Sequence, residues 1–308
     1  MSRVLVAGVD TSTQSTKVRV TDAETGEMVR FGQAKHPDGT SVNPDAWWQA
    51  FQEAAEQAGG LDDVAALAVG PGGGDNAMAS LGLSMGVGDV SISLGTSGVA
   101  AAISPVPAYD MTASVTGFAD CTGHWLPLAC TINGSRISDA GRAALGVGYD
   151  ELAELAAAAE PGAGGITLVP HFDGERTPNR PDATAALYGM TLANTRRENI
   201  ARAFVEGLLC SQRDCLELVK GLGVDVKRIL LIGGGTKFAA VRALAPAILG
   251  MDVELPETDE HVAIGAARQA AWVLSGETEP PTWPVKVETT LTGEPTPQVY
   301  EQYVRWRG

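Results

Sequence analysis

The stretch Gly70–Gly98, GPGGGDNAMASLGLSMGVGDVSISLGTSG, decides how the rest of the chain is read. It holds one isolated acid, Asp75, behind Gly72, Gly73 and Gly74. A short strand-like run, Ser91–Leu94, then ends in Gly95-Thr96-Ser97-Gly98. Glycines let a backbone approach a ligand closely, and their bare N–H groups can cradle phosphate oxygens. An isolated carboxylate on such a loop can accept a proton or hold a metal. Taken alone, either piece is equally an ordinary Gly-rich turn.

Upstream, residues 64–69 read as a buried strand running straight into Gly70. Before it, Asn43-Pro44-Asp45-Ala46-Trp47-Trp48 opens a helix that Asn43 or Asp45 can cap. Trp47, Phe51, Ala54, Ala55 and Ala58 follow helical spacing, which places the tryptophans in the core. Residues 3–9, 17–21 and 28–31 alternate as three strands of a β-meander. Its first turn, Asp10-Thr11-Ser12-Thr13-Gln14-Ser15-Thr16-Lys17, gathers an acid, several hydroxyls and a lysine. A polar hairpin loop of no chemical consequence has the same composition.

Downstream, strands are expected at 90–94, 98–104, 112–118 and 125–132, and helices at 138–145 and 150–160. Asn133-Gly134-Ser135 matches a glycosylation sequon. A strand at 166–170 leads to a polar loop, His171 to Pro178, then an amphipathic helix at 195–220. Residues 228–232 form an apolar strand followed by Gly233-Gly234-Gly235-Thr236-Lys237 and a helix from about Ala239. An Ala-rich helix at 261–275 precedes a tail rich in Pro and Thr, closed by a short helix with Tyr300, Tyr303 and Trp306.

The bulk numbers narrow the function classes. With 308 residues, two domains are the better expectation. No run of about 18 apolar residues occurs, so no membrane span is expected. The opening residues lack the apolar region and cleavage site of a signal peptide, which predicts a cytoplasmic protein. A net charge of −15 without Lys/Arg clusters argues against nucleic acid as a partner. Such a chain can still bind ATP, since Mg²⁺, backbone amides and a few local cations handle phosphates. Cys121, Cys130, Cys210 and Cys215 form no CxxC pair, so free thiols are expected rather than zinc.

Seven segments then fall into one order. They are Asp10–Lys17, Asn43–Trp48, Gly72–Asn76, Ser93–Gly98, Gly174–Pro178, Ile232–Thr236 and Gly265–Arg268. Together they resemble the FGGY carbohydrate kinases, and most closely their xylulokinase branch. The resemblance implies an α/β actin-like ATPase (ribonuclease-H-like) fold of two domains. It implies transfer of the ATP γ-phosphoryl group to a sugar, D-xylulose by the nearest branch, giving D-xylulose 5-phosphate. One departure is large. In the family the strand matching residues 64–69 continues through a Gln-x-His-Gly motif into a long remainder of the first domain, whereas here Gly70 passes directly to the glycine run. A block of roughly one domain, about 150 residues, is missing from the pattern. The expected domains are therefore a truncated first one, 1–71, and a second, 72–308. The alternatives are a nucleotide-binding remnant without kinase activity, or a kinase for another ketose or polyol.

By the same resemblance, Asp75 is the base that takes the sugar hydroxyl proton. Asp10 holds Mg²⁺, since Mg²⁺ favours few carboxylates and keeps its waters. Thr13, Ser15 and Lys17 sit on the first phosphate loop, although a lysine there can also face solvent. Gly95, Thr96 and Ser97 face the γ-phosphate, and Gly233, Gly234 and Gly235 let the adenosine approach the backbone. Glu175 and Arg176 brace the second domain rather than touch substrate. Many relatives dimerise, so a homodimer is allowed for. One decoy competes. Residues 229–238 read as a strand and G-x-G turn with Glu254 further on, as a dinucleotide fingerprint would require. Phe238 stands where that fingerprint needs Gly or Ala, and the other segments stay unexplained by it.

Overall fold

The computed structural model describes residues 3–12, 14–37, 43–70, 74–257 and 260–308. In chain order the strands begin with β1 (Leu5–Thr11), β2 (Ser15–Asp22), β3 (Met28–Lys35), β4 (Val64–Gly70), β5 (Asp89–Leu94), β6 (Gly98–Ala102) and β7 (Val115–Ala119). They continue as β8 (Trp125–Thr131), β9 (Thr167–Val169), β10 (Ala186–Tyr188), β11 (Arg228–Ile232), β12 (Val253–Pro256) and β13 (Val287–Leu291). The helices are α1 (Pro44–Gln57), α2 (Asp75–Gly82), α3 (Arg136–Leu145), α4 (Tyr149–Ala157), α5 (Arg197–Gly221), α6 (Ala239–Leu249), α7 (His261–Ser275) and α8 (Pro297–Arg307). Two strands were not expected: β10, and β13 in the Pro- and Thr-rich tail, where β13 pairs antiparallel with β12.

The chain divides into two compact units. The first comprises residues 1–86, 119–124 and 260–286, and the second 87–118, 125–259 and 287–308. The division expected at 71/72 does not separate compact bodies. The reason is packing: α2 and α7 lie with the meander, because their backbones meet at glycines. A Cβ on Gly265 would lie 1.9 Å from the Met78 carbonyl oxygen, and one on Gly82 would lie 2.0 Å from that of His261. The same device joins α7 to β1, where a Cβ on Gly8 would lie 2.0 Å from the Ala263 oxygen.

The first unit is a four-stranded sheet in the order β3-β2-β1-β4. The meander strands pair antiparallel and β4 joins β1 in parallel. One face buries Ala7, Val9, Val18 and Val20 under Ala50, Ala54 and Ala58 of the α1 region. The other buries Val6 against Ala267, Ala270 and Ala271 of α7 and Trp283. Asn43 caps α1, its side chain accepting from the Asp45 amide at 3.0 Å. The two tryptophans do not enter the core: Trp47 is 46% and Trp48 60% exposed. The alanine stripe brings α1 close to β3, where Gly32 meets the Ala54 carbonyl, and such an approach leaves no room beneath the helix for indole rings.

The second unit carries a seven-stranded sheet in the order β13-β12-β11-β5-β6-β8-β7. Strands β12, β11 and β5 run parallel, and β5, β6 and β8 continue antiparallel. The buried helix α5 anchors the core through Phe204, Val205, Leu208, Leu209 and Leu216. Glu175 braces this unit as expected: 2% exposed, it accepts from the Ile132 amide (2.6 Å) and Asn133 Nδ2 (3.0 Å). Asn133 is itself fully buried, so the sequon is a structural element and no glycan acceptor. The cysteines are free thiols, and burial pushes those of Cys210 and Cys215 well up.

Candidate active site

The acidic hairpin of the first unit comes from the pairing of β1 and β2. Their register sets Asp10 opposite Lys17 and Thr11 opposite Thr16. Thr11 and Thr16 hydroxyls lie 3.3 Å apart, and Thr16 is 2.8 Å from His36 Nε2, which fixes the width of the turn from one face. Ser15 is buried and its hydroxyl accepts from Gln33 Nε2 at 3.0 Å, so it is tied into the sheet rather than presented on the loop. Thr13 lies outside the described residues. On the other face, Lys17 Nζ is 2.9 Å from Glu260 Oε2.

Asp10 is half-buried, and among the described residues no hydrogen bond or ion pair within 4 Å engages its carboxylate. Burial pushes its pKa above the ordinary value; Lys17 pulls it down, and the Glu260 and Asp75 charges push it up again. Three charged groups of the same unit thus act on the Asp10 carboxylate. A half-buried carboxylate without a partner is a hard oxygen donor of the kind Mg²⁺ takes singly, completing its shell with water and phosphate. Among the described residues no cluster of three or more His, Cys, Asp or Glu could hold a metal, so an all-protein cage is not built here.

Asp75 is the first residue of α2, and Gly74 precedes it as an N-cap without a side-chain bond. Its Oδ1 accepts from the Asn76 amide (2.8 Å) and Asn76 Nδ2 (3.0 Å). It therefore does not serve the helix as a conventional side-chain cap, whose oxygen would reach two or three residues on. The side chain is exposed, as a group that meets substrate must be.

In the second unit the β5–β6 turn supplies Gly95, Thr96 and Ser97. Gly95 donates to the Ser97 carbonyl at 3.0 Å, while Gly134 and Ser135 amides donate to the Thr96 and Gly95 carbonyls. Gly98 donates to Thr131 Oγ1 at 3.1 Å. These bonds consume the carbonyls and leave the Thr96 and Ser97 amides without a protein acceptor among the described residues. Free amides at a tight turn form a concavity suited to an anion.

Beside this turn lies a cavity of about 510 Å³. Leu94, Gly95, Thr96, Gly234 and Gly235 line it, together with Ser135, Ser138, Tyr149, Asp150, Lys237 and Phe238. Ser97 and Gly233 do not line it. Gly233 shapes it instead, with φ +90° and its Cα side pressed against Leu94, where a Cβ would lie 2.7 Å from the carbonyl oxygen. Tyr149 and Phe238 make an edge-to-face pair with centroids 5.3 Å apart, a wall suited to a flat ring. Sequence reading missed Tyr149, Asp150 and Ser138, which carry no motif; Ser135 was noticed only as part of the sequon, and Phe238 only as the residue that breaks the dinucleotide fingerprint. Glu254, the acid which that fingerprint would require, is paired with Arg228 at 3.3 Å.

Known proteins resemble the chain in sequence and in fold. Residues 90–274 match the FGGY family of carbohydrate kinases, C-terminal domain. A xylulose kinase of Streptomyces coelicolor is 41% identical over 210 residues, covering 68% of this chain and 42% of that protein. The chain thus spans less than half the length of this curated relative. A gluconokinase of Bacillus licheniformis is 28% identical over 212 residues, covering 63% of this chain and 41% of its own. The crystal structure of xylulose kinase from Bifidobacterium adolescentis superposes with TM-score 0.93 at 48% identity, covering 99% of this chain and 100% of that one. The fold is the actin-like ATPase fold expected from the motif order. The chain belongs to the FGGY family of carbohydrate kinases.

Proposed function

We propose that this protein is an ATP-dependent sugar kinase that transfers the γ-phosphoryl group of ATP to D-xylulose, giving ADP and D-xylulose 5-phosphate. The observation that carries this reading is the pair of half-sites: in one unit an Asp10 carboxylate without a hydrogen-bond or ion-pair partner among the described residues, with Asp75 and Lys17 nearby, and in the other a ring-walled cavity beside turn amides without a protein acceptor among the described residues. Phosphoryl transfer asks the protein mainly for positioning and charge neutralisation, with a base for the attacking hydroxyl. Mg²⁺, when bound, neutralises phosphate charge. Asp10 is the residue that would hold it. Asp75 accepts the proton of the sugar hydroxyl, and the Thr96 and Ser97 amides receive phosphate oxygens. Gly234 and Gly235 let the nucleoside lie against backbone, with Tyr149 and Phe238 beside its ring.

The sugar is the finer part of the proposal. D-Xylulose is favoured because xylulose kinases are the more similar relatives, ahead of the gluconokinase. An ADP-release assay with D-xylulose, D-ribulose, gluconate and glycerol tests it. Turnover with D-xylulose well above the others supports it; turnover confined to another substrate removes the sugar assignment and keeps the kinase.

A second reading, a nucleotide-binding remnant without transfer activity, has its own support. Strand β4 is an edge strand of wholly uncharged sequence, yet Leu67 and Val69 are 41% and 47% exposed. Such a strand is ordinarily covered on both faces. Calorimetry with ATP and then D-xylulose separates the two readings: ATP binding with no response to sugar supports the remnant.

A further inference from the structure

Lys17 has two carboxylates to choose from, and it takes the more distant one in sequence. Its backbone stands directly opposite Asp10 in the antiparallel β1–β2 pair. Residues so placed have Cβ atoms about 5 Å apart on one face of the sheet, so a salt bridge between them is the default outcome. Yet the Lys17 ammonium is 2.9 Å from Glu260, with both side chains only about one-fifth exposed (20% and 22%). Asp10 makes no ion pair within 4 Å among the described residues.

Glu260 is placed to do this by the packing of α7. It immediately precedes the first residue of that helix, at φ −92° and ψ 35°. The helix is pinned to β1 by the bare Cα of Gly8, which admits the Ala263 and Ala267 backbone. Arg19, two residues beyond Lys17 on the same strand face and 8% exposed, also lies in the field of Glu260. One carboxylate at the start of α7 thus attracts both cations of β2.

We propose that Glu260 is a positioning residue that draws Lys17 off Asp10 and so keeps the Asp10 carboxylate open to a hard divalent cation. The inference rests on the kinase reading above, in which Asp10 meets Mg²⁺ at the nucleotide phosphates. Without Glu260, the ammonium falls back across the strand pair onto Asp10. A divalent cation must then displace an internal salt bridge before it can bind. With Glu260 present, Lys17 stays beside the loop as a separate cation for phosphate oxygens.

The test is calorimetric, with a non-hydrolysable ATP analogue titrated in Mg²⁺ and again in EDTA. The ratio of the two affinities, the Mg²⁺ enhancement, is the readout and needs no turnover. Glu260→Gln, isosteric and neutral, should lower that enhancement about tenfold, a change equivalent to about 1.4 kcal/mol. Part of any loss is the simple removal of a negative charge near the cation, so the same substitution is made in a Lys17→Met background. There the enhancement should change less than about twofold, because no ammonium remains to block Asp10. Lys17→Met alone should enhance at least as strongly as the wild type, which keeps the test decisive if Glu260→Gln does not fold. Equal losses in both backgrounds, an unchanged enhancement in Glu260→Gln, or a weakened one in Lys17→Met alone would each overturn the proposal. A wild type that binds the analogue but shows one of these results sinks only the Glu260 role. A wild type that does not bind the analogue sinks the kinase reading as well.

Discussion

Asp10 and Gly70 stand side by side in register at the ends of the neighbouring parallel strands β1 and β4. The end of β4 is therefore next to the proposed metal ligand, and Asp75 follows within five residues. Gly70 is buried, and a Cβ there would lie 3.1 Å from Val262 Cγ1 and 3.5 Å from Met78 Cγ. Gly70 is thus a packed position, and Asp10 and Asp75 are held by the same unit.

The assignment of Asp75 is open to direct attack. Asp75→Asn should lower kcat for sugar phosphorylation by about 10²–10⁴, the usual worth of a positioned base. The Asn76 contacts involve only one oxygen, so helix α2 should survive. Steady-state kinetics and calorimetry with ATP check the split: turnover lost, nucleotide affinity kept. Unchanged turnover would refute the base.

The close approach of α2, α7 and β1 sets a stability prediction. A methyl at Gly265 would collide with the Met78 carbonyl at 1.9 Å, and one at Gly8 with the Ala263 carbonyl at 2.0 Å. Backbone cannot yield as a side chain does, so each Gly→Ala change should cost about 3 kcal/mol or more. Urea denaturation of Gly265→Ala and Gly8→Ala measures it. A loss below about 1 kcal/mol would mean that the helix is free to shift.

The Gly233–Gly235 turn offers two glycines with opposite expected behaviour. Gly234 lines the cavity and has open space where a side chain would begin. Gly234→Leu should therefore weaken ATP binding roughly tenfold or more, about 1.4 kcal/mol, while the melting temperature stays put. Gly233→Ala should lower the melting temperature, because φ is +90° and Leu94 blocks the added carbon. Calorimetry and thermal melts on the two variants distinguish cavity filling from backbone strain.

Acid sensitivity should be traceable to the loop before β7. The Thr112 hydroxyl and amide and the Ser114 and Val115 amides all donate to Asp110. The Thr112 hydroxyl bond, followed by the backbone ones, holds its carboxyl below the ordinary value of 3.8. Between the folded and unfolded values the unfolded chain binds more protons, so stability rises with pH there. The contribution is present above 3.8 and is lost as pH falls through the lower folded value. Asp110→Asn should flatten the acid limb of a stability–pH profile measured by denaturant titration, leaving the neutral range parallel to wild type.

Much of the architecture could be read from residue order, and the reasons are local. The meander, β4, the strand–turn of Ser91–Gly98 and the strand–glycine–helix at 228–249 each carry their own periodicity and turn chemistry. Asp10, Asp75, Gly95, Thr96, Gly234 and Gly235 lie on those local features, so motif reading reached them. Tyr149 and Ser138 lie on helices with other periodic duties and Phe238 stands just before α6; all three meet the cavity only through packing. Ser15 shows the converse: its place in a hydroxyl-rich turn suggested a ligand, but strand pairing turns it toward Gln33.

The sequence by itself determined the order of the strands and helices other than β10 and β13, the glycine-rich turns and the family. These depend on propensity, period and spacing within a few residues. Tertiary structure alone decided which carboxylate holds Lys17, why α2 and α7 join the first unit rather than the second, and what walls the cavity. Those outcomes rest on approaches between segments far apart in the chain, such as Lys17 with Glu260 and Met78 with Gly265. No local pattern encodes such pairs, because their energies depend on distances that exist only once the helices have packed.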